Sequence, residues 1–202
     1  MTSSNDATSR PTAAPTKFEL RHALRALRDR HFGLQRDHLS EQAAQALMSW
    51  TELGRARRVA AFVSLGDEID TAPLMRELRH RGIEVVLPRV ERKHISLSFA
   101  LAEPRGKFVD GPFGLKEPAG PAVELNSVDV VVTPGLGFDR SGGRLGYGVG
   151  YYDRALANYA GICVGFCYAV QLVAEPLPRA PHDVRVTAVA HEHGLILCEP
   201  SL

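Results

Sequence analysis

Apolar positions in this chain follow two rhythms. From Lys17, the stretch KFELRHALRALRDRHF sets Leu20, Leu24 and Leu27 at intervals of three and four, with arginines on the remaining faces. That spacing predicts an amphipathic helix, with Gly33 as its stop. A second helix is read in the run that ends at Trp50. Ser40 precedes Ala43 by three places, so no capping box forms there. DTAPLMRELRHRG (70–82) predicts a third helix, with Asp70 or Thr71 as cap, Pro73 in its first turn and Gly82 at its end. YYDRALANY (151–159) predicts a fourth. The other rhythm is unbroken: RRVAAFVSL (57–65), IEVVLP (83–88), HISLSFA (94–100), DVVVTP (129–134) and GICVGF (161–166) are short apolar runs bounded by turn residues. VRVTAVA and LILC add two further strand candidates. EPRGKFVDGPFGLKEPAGP (103–121) is read as loop, because glycine and proline interrupt it every few residues. Strands that are apolar throughout, interleaved with helices, predict an α/β fold: a single domain with a largely parallel sheet covered by helices on both faces.

Composition narrows the classes. With 202 residues and 45% hydrophobic content, one domain with a real core is expected. Its 24 basic and 23 acidic residues nearly balance, which argues against a protein built mainly to grip nucleic acid. Cys163, Cys167 and Cys198 are too few and too scattered for a disulfide framework, which points to a reducing compartment. No apolar run approaches the roughly 18 to 20 residues of a membrane span. MTSSNDATSRPTAAPT lacks the apolar segment of a secretory signal, and its composition predicts a disordered lead over 1–16, followed by the folded domain over 17–202. The expected location is the cytoplasm, and the expected assembly a monomer that engages neither nucleic acid nor membrane.

The chemistry concentrates in GRLGYGVGYYDR (143–154), which follows the strand candidate DVVVTP. Ligands in open α/β sheets sit beyond the carboxyl ends of strands. Gly146, Gly148 and Gly150 would let a ligand approach the main chain, and the loop feeds a helix start at Tyr151, where N–H groups favour an anion. Arg144 would add a fork of donors for phosphate. The spacing is neither that of a P-loop nor that of the dinucleotide fingerprint. Asp153, in the first helical turn, either complements the helix dipole or, beside phosphate, serves as a hard oxygen ligand for magnesium. Tyr147, Tyr151 and Tyr152 are either packing aromatics or a platform for a flat heterocycle. Lys17 and Arg21 lie four apart on one helix face, where they form a solvated charge stripe or grip one polyphosphate. Glu68, just after a strand, is a salt-bridge residue or an acceptor for pterin N–H groups. Asp183 is a turn aspartate or a second metal-associated acid. His191-Glu192-His193 lacks the spacing of a zinc site.

PGLGFDRSGGRLGYGVGYYDR resembles, nearly residue for residue, the motif of the 5-formyltetrahydrofolate cyclo-ligase (methenyltetrahydrofolate synthetase) family. The resemblance covers about residues 17 to 190. It takes in Lys17-x-x-x-Arg21, VSLGDEIDT, LPRV (87–90), GPFGLKEP (111–118) and QLVAEPLPRAPHDV (171–184), in the family's order. It implies a ligase that uses ATP and Mg2+ to convert 5-formyltetrahydrofolate, with or without a polyglutamyl tail, into 5,10-methenyltetrahydrofolate, ADP and phosphate. On this chain it implies that Lys17, Arg21 and Arg144 contact ATP phosphates, together with Gly146, Gly148, Gly150 and Tyr152. It implies that Tyr147, Gly148, Val149, Gly150 and Tyr151 contact folate, with Val63 and Glu68 on the other side. Asp153 and Asp183 are the implied magnesium acids, and Lys17, Arg144 and Asp153 the implied catalytic set. Val149 departs from the family's usual glycine or lysine, which shifts weight onto Arg144. Thr187 stands where aspartate is common.

Two rivals keep different predictions. A nucleotide-dependent enzyme with another acyl substrate would not form the cyclic product. A folate- or RNA-binding module would show no substrate-dependent ATP hydrolysis.

Overall fold

The computed structural model describes residues 14–31 and 35–199. Gly33 and the first thirteen residues of the lead lie outside them. In chain order the elements are α1 (Lys17–His31), α2 (Arg36–Met48), α3 (Thr51–Gly54), β1 (Arg58–Ala60), α4 (Ala72–His80), β2 (Glu84–Glu91) and β3 (Ser96–Leu101). Then come β4 (Phe108–Asp110), β5 (Lys116–Pro118), β6 (Ala122–Val123), β7 (Val130–Thr133), β8 (Gly137–Asp139) and β9 (Arg144–Leu145). The chain continues through α5 (Tyr151–Leu156), β10 (Ile162–Phe166), β11 (Leu172–Val173), β12 (Ala188–His191) and β13 (Gly194–Leu197).

An eight-stranded sheet runs β13-β12-β10-β7-β1-β2-β3-β6. Its centre, from β12 to β2, is parallel, while β13, β3 and β6 are antiparallel additions at the edges. This is the predicted α/β class. The period of two explains why these strands read as unbroken apolar runs. Val59, Val85, Val130, Val132, Val164, Ala188 and Ala190 face one layer with Ala43, Leu47, Leu74 and Leu78 of α2 and α4. Ala60, Val86, Val131, Cys163 and Val189 face the other, with Leu156 of α5 and Phe138. Leu47, Leu74 and Leu78 are fully enclosed, which is worth about 1.5–3 kcal/mol each.

Local chemistry sets the element ends. Gly82 has φ +74, Ile83 N–H donates to the Leu78 carbonyl (2.9 Å) and Gly82 N–H to that of Arg79 (3.0 Å), a Schellman stop for α4. At its start Asp70 Oδ1 accepts from Ala72 N–H (2.9 Å), whereas the Thr71 hydroxyl donates to the Phe62 carbonyl (2.6 Å). Ser40 does not open α2. It lies inside it, buried, and accepts from Asp70 N–H (3.0 Å).

Three expectations on element bounds need correcting. The strand expected over 57–65 leaves the ladder early, because Ser64 and Phe62 bond to the turn at 69–71 instead of to a neighbouring strand. The expected loop 103–121 contains the hairpin β4–β5, pinned by the Arg89 guanidinium on the Pro118 carbonyl (2.7 Å) and by Glu117 on Val90 N–H (2.9 Å). Helix α5 stops at Leu156 rather than 159, where the Tyr159 hydroxyl turns to the Val128 carbonyl (3.0 Å).

Candidate active site

The segment after β7 forms a small separate sheet, β11-β8-β9, in place of a wandering loop. Asp139 organises it. This acid is 1% exposed. Its Oδ1 accepts from Ser141 N–H (2.7 Å), the Ser141 hydroxyl (2.7 Å) and Gly143 N–H (2.9 Å), and its Oδ2 from Leu177 N–H (2.7 Å). Burial opposes its ionisation, but these donors prevail and hold the carboxyl below its ordinary range. The turn it fixes delivers Arg144 on β9 and then the glycine run.

A third apolar cluster brings two distant pieces onto this sheet. Leu24 of α1 packs with Leu136, Leu145 and Leu177. Through it α1 lies along the glycine run, and the segment leading to Asp183 closes the opposite side. Between them opens a cleft of about 1190 Å³. Its lining includes Lys17, Arg21 and Arg144, the whole of 145–154, and Asp183. The phosphate candidates, the loop residues Gly146, Tyr147, Gly148, Val149, Gly150, Tyr151 and Tyr152, and both metal candidates therefore share one wall system.

Within it two of the cations pair with the two acids. Arg144, with its side chain 4% exposed, donates from Nη2 to Asp153 Oδ1 at 2.6 Å and lies over the Tyr152 ring at 5.6 Å. Its buried Nε has no partner, which leaves a donor in hand. Lys17 Nζ bonds Asp183 Oδ2, which also accepts from Ala180 N–H (2.6 Å). Burial works against the Asp183 charge, but Lys17 and the backbone donor outweigh it and hold the acid below its usual range. Arg21 Nε donates to the Gly146 carbonyl at 2.9 Å. Gly148, at φ +102, lies so close to Arg21 that a Cβ there would sit 3.2 Å from the guanidinium carbon. Lack of a side chain is what lets the loop and α1 approach.

Two candidates stand elsewhere. Val63 packs against the main core and is absent from the cleft lining. Glu68 is 5% exposed and lies behind Tyr147: its Oε1 accepts from the Tyr147 hydroxyl (2.6 Å), its Oε2 from Leu65 N–H (2.8 Å). Burial pushes its pKa up. The expected helix-dipole contribution is small, because α5 has only six residues. The cations of α1 and β9 supply the positive potential instead.

Sequence reasoning passed over Arg25, Arg28, Phe113 and Asp139. Arg25 and Phe113 line the cleft, and the Arg25 guanidinium lies 5.5 Å from the Tyr147 ring centre. Phe113 is 66% exposed and holds φ +61, unusual for an aromatic residue. Nothing in the spacing of α1 distinguishes one arginine from the next. For Phe113 the signal was present in the flanking proline and glycine of GPFG, a tight turn that presents its middle residue.

Among the described residues no group of three or more His, Cys, Asp and Glu converges as a metal site. Two hard carboxylates at the edge of one cleft do fit magnesium, which completes its shell with water and substrate phosphate.

Comparison with known proteins completes the description. Residues 13–192 match the model of the 5-formyltetrahydrofolate cyclo-ligase family. The chain is 35% identical over 162 residues to the 5-formyltetrahydrofolate cyclo-ligase of Escherichia coli strain K12, covering 77% of this chain and 88% of that one. It is 31% identical over 182 residues to that of Saccharomyces cerevisiae, covering 78% and 86%. The solved Aquifex aeolicus 5,10-methenyltetrahydrofolate synthetase superposes with a TM-score of 0.80 at 33% identity, covering 92% of this chain and 94% of that one.

Proposed function

Because this chain belongs to the 5-formyltetrahydrofolate cyclo-ligase family, we propose that the cleft between α1 and the glycine run is where its ATP-dependent cyclisation takes place. The protein is a ligase that closes 5-formyltetrahydrofolate to 5,10-methenyltetrahydrofolate at the expense of ATP. One observation carries the assignment of place: five cations (Lys17, Arg21, Arg25, Arg144 and Arg154), two carboxylates (Asp153 and Asp183) and a backbone stretch with glycine at every second position line a single cavity of about 1190 Å³. That is more than one drug-sized ligand needs, and the reaction requires two substrates side by side.

The chemistry says what the residues must do. A formamide carbon is a poor electrophile, and direct closure would expel hydroxide. The formyl oxygen instead attacks the γ-phosphorus, the bond to ADP breaks, and an activated iminium phosphate results. N10 then adds to the formyl carbon and loses its proton, and phosphate leaves with the carbon–oxygen pair. No nucleophilic side chain is required. Lys17, Arg21 and Arg144 hold the phosphates in line and spread their charge, which removes the need for solvent to reorganise during transfer. Tyr147 and the loop to Tyr151 hold the pterin, and Glu68, bonded to the Tyr147 hydroxyl just behind the cleft wall, keeps lone pairs beyond those taken by Tyr147 and Leu65 for its N–H groups. Placing N10 against the formyl carbon removes several kcal/mol of entropic barrier.

Asp153 and Asp183 would hold magnesium, whose charge offsets that of the phosphates. Arg144 and Lys17 already pair with these acids, so neither carboxylate faces the cleft without a cation.

The test is spectrophotometric. Purified protein with 5-formyltetrahydrofolate should generate the near-ultraviolet absorbance of the methenyl product only when Mg2+ and ATP are present, and ADP release should depend strictly on the formylfolate. ADP release without it, or product formation undiminished in an Arg144→Met, Asp153→Asn double variant, would move the chemistry out of this cleft.

A further inference from the structure

Helix α1 is turned in an unexpected way. The leucine stripe predicts Leu20, Leu24 and Leu27 inside and arginines outside. Leu24 is buried at 5%, yet Leu27 is 37% exposed and Arg28, one turn beyond Leu24, is 5% exposed. A helix that leaves a leucine in water and encloses a guanidinium gives up hydrophobic energy on both counts. Arg28 is not enclosed by ion pairing either. Its buried Nε makes no hydrogen bond and reaches only a long 3.5 Å contact with Asp29 Oδ1. Its close bond is from Nη1 to the Tyr147 hydroxyl at 2.7 Å.

That bond has a direction. Guanidinium only donates, so the Tyr147 oxygen accepts from it and the single hydroxyl proton points onward, to Glu68 Oε1 at 2.6 Å. Leu65 N–H occupies Oε2. Glu68 therefore receives donors at both oxygens, an arrangement only the carboxylate satisfies fully. The inference rests on the reading of Glu68 as the acceptor for the pterin. We infer that Arg28 is a positioning residue: by donating to the Tyr147 hydroxyl it fixes the direction of the chain Arg28–Tyr147–Glu68 and holds Glu68 as an acceptor for the ring N–H groups of the substrate.

The groups facing Glu68 come from four elements. Arg28 stands on α1, and Arg36 on α2 reaches the Glu68 carbonyl at 3.1 Å. Tyr147 lies on the glycine run and Tyr152, itself buried, on α5. Burial favours the neutral acid, while Tyr147, Leu65, Arg28 and Arg36 oppose it. Removing Arg28 takes away one cation and frees the Tyr147 hydroxyl to turn round.

The experiment is kcat/KM for 5-formyltetrahydrofolate measured as pH is lowered from alkaline through neutral towards the ordinary carboxylate range, since burial raises the Glu68 pKa above it. ATP is saturating, and KM for ATP is measured alongside. Wild type should lose folate binding on the acid side as Glu68 takes a proton. In Arg28→Met that limb should move up by about one pH unit, so KM for formylfolate rises about tenfold at acid pH and less than about threefold at alkaline pH. KM for ATP should stay put, and Arg28→Lys should lie between. An unmoved acid limb, a loss uniform in pH, or an equal loss in both substrates overturns the inference. Glu68→Gln separates it from its premise. If Glu68→Gln binds formylfolate like wild type, Glu68 is no pterin acceptor and both readings fall. If it binds weakly while Arg28→Met keeps the wild-type limb, the inference falls alone. Should Arg28→Met fail to fold by circular dichroism, Arg28→Lys and Tyr147→Phe carry the same measurement. Both should shift the limb upward, and no shift in either refutes the proposal.

Discussion

Gly148→Ala puts the close approach of loop and helix to the test. At φ +102 an alanine is strained by about 1–3 kcal/mol. Its Cβ would also meet the Arg21 guanidinium carbon at 3.2 Å, so the side chain must back away by a few tenths of an ångström. That movement loosens the 2.9 Å bond from Arg21 to the Gly146 carbonyl. Gly148 itself is exposed, so the loop can shed the strain by shifting while the sheet stays intact. If the binding-competent loop is depopulated by the full strain, kcat/KM for ATP falls about 5- to 150-fold, since each 1.4 kcal/mol is about a factor of ten. The melting temperature should move by less than about 3 °C, because few buried contacts are touched. Methenyl product formation, followed in the near-ultraviolet at varied ATP, measures the first, and a thermal melt the second. Gly146→Ala is the internal comparison: its backbone lies outside the left-handed region and its Cβ would sit 3.4 Å from Arg144 Nη1, so its loss should be several times smaller. Unaltered ATP kinetics in Gly148→Ala, or equal losses at the two glycines, would refute the reasoning.

Three further outcomes follow from the site. Asp153→Asn keeps an acceptor for Arg144 but removes the charge, and should lower kcat by about a hundredfold or more with the fold retained. A magnesium titration that matches wild type would sink that assignment. Lys17→Met removes the cation that depresses the Asp183 pKa. The stability this pair contributes is fully present above the ordinary carboxylate pKa of about 3.9 and lost as pH falls through the lower folded value. Wild-type and variant stability, by urea unfolding, should therefore differ at neutral pH and converge in acid, and a constant offset would contradict this. Asp139→Ala strips four hydrogen bonds from a buried turn and should cost about 2–5 kcal/mol, read as a lower urea midpoint with unchanged slope. A cost under about 1 kcal/mol would mean that the turn holds itself.

Much of the architecture was legible because its cause is local. Val130, Val131 and Val132 alternate between two covered faces, and that produces the unbroken run which reads as a parallel strand. Gly82 and Pro73 bracket α4 for backbone reasons that need no tertiary partner. The glycine run and its arginine and aspartate were readable because few other sequences place those types so closely. What escaped is non-local. The hairpin β4–β5 exists because β2 supplies bonds to it, from the Arg89 guanidinium to the Pro118 carbonyl and from Val90 N–H to the Glu117 carboxylate, against the grain of a glycine- and proline-rich stretch. Asp139 looks like any turn aspartate until Leu177, 38 residues on, arrives to donate. Arg28 sits in a helix full of arginines, and only the docking of Leu24 on Leu136, Leu145 and Leu177 decides which arginine is turned inward. Val63 packs on the same core as its neighbours Ala61 and Phe62, a burial that only the assembled layers reveal.

The bond between Lys17 and Asp183 joins residues 166 positions apart. A nascent chain leaving the ribosome can pair β1, β2 and β7 and bury most of the first layer long before Asp183 is made. Its opening helix must wait for the closing segment. Completion of the cleft therefore waits for the segment around Asp183, and a product terminated before it would keep much of the sheet while lacking one wall of the cleft.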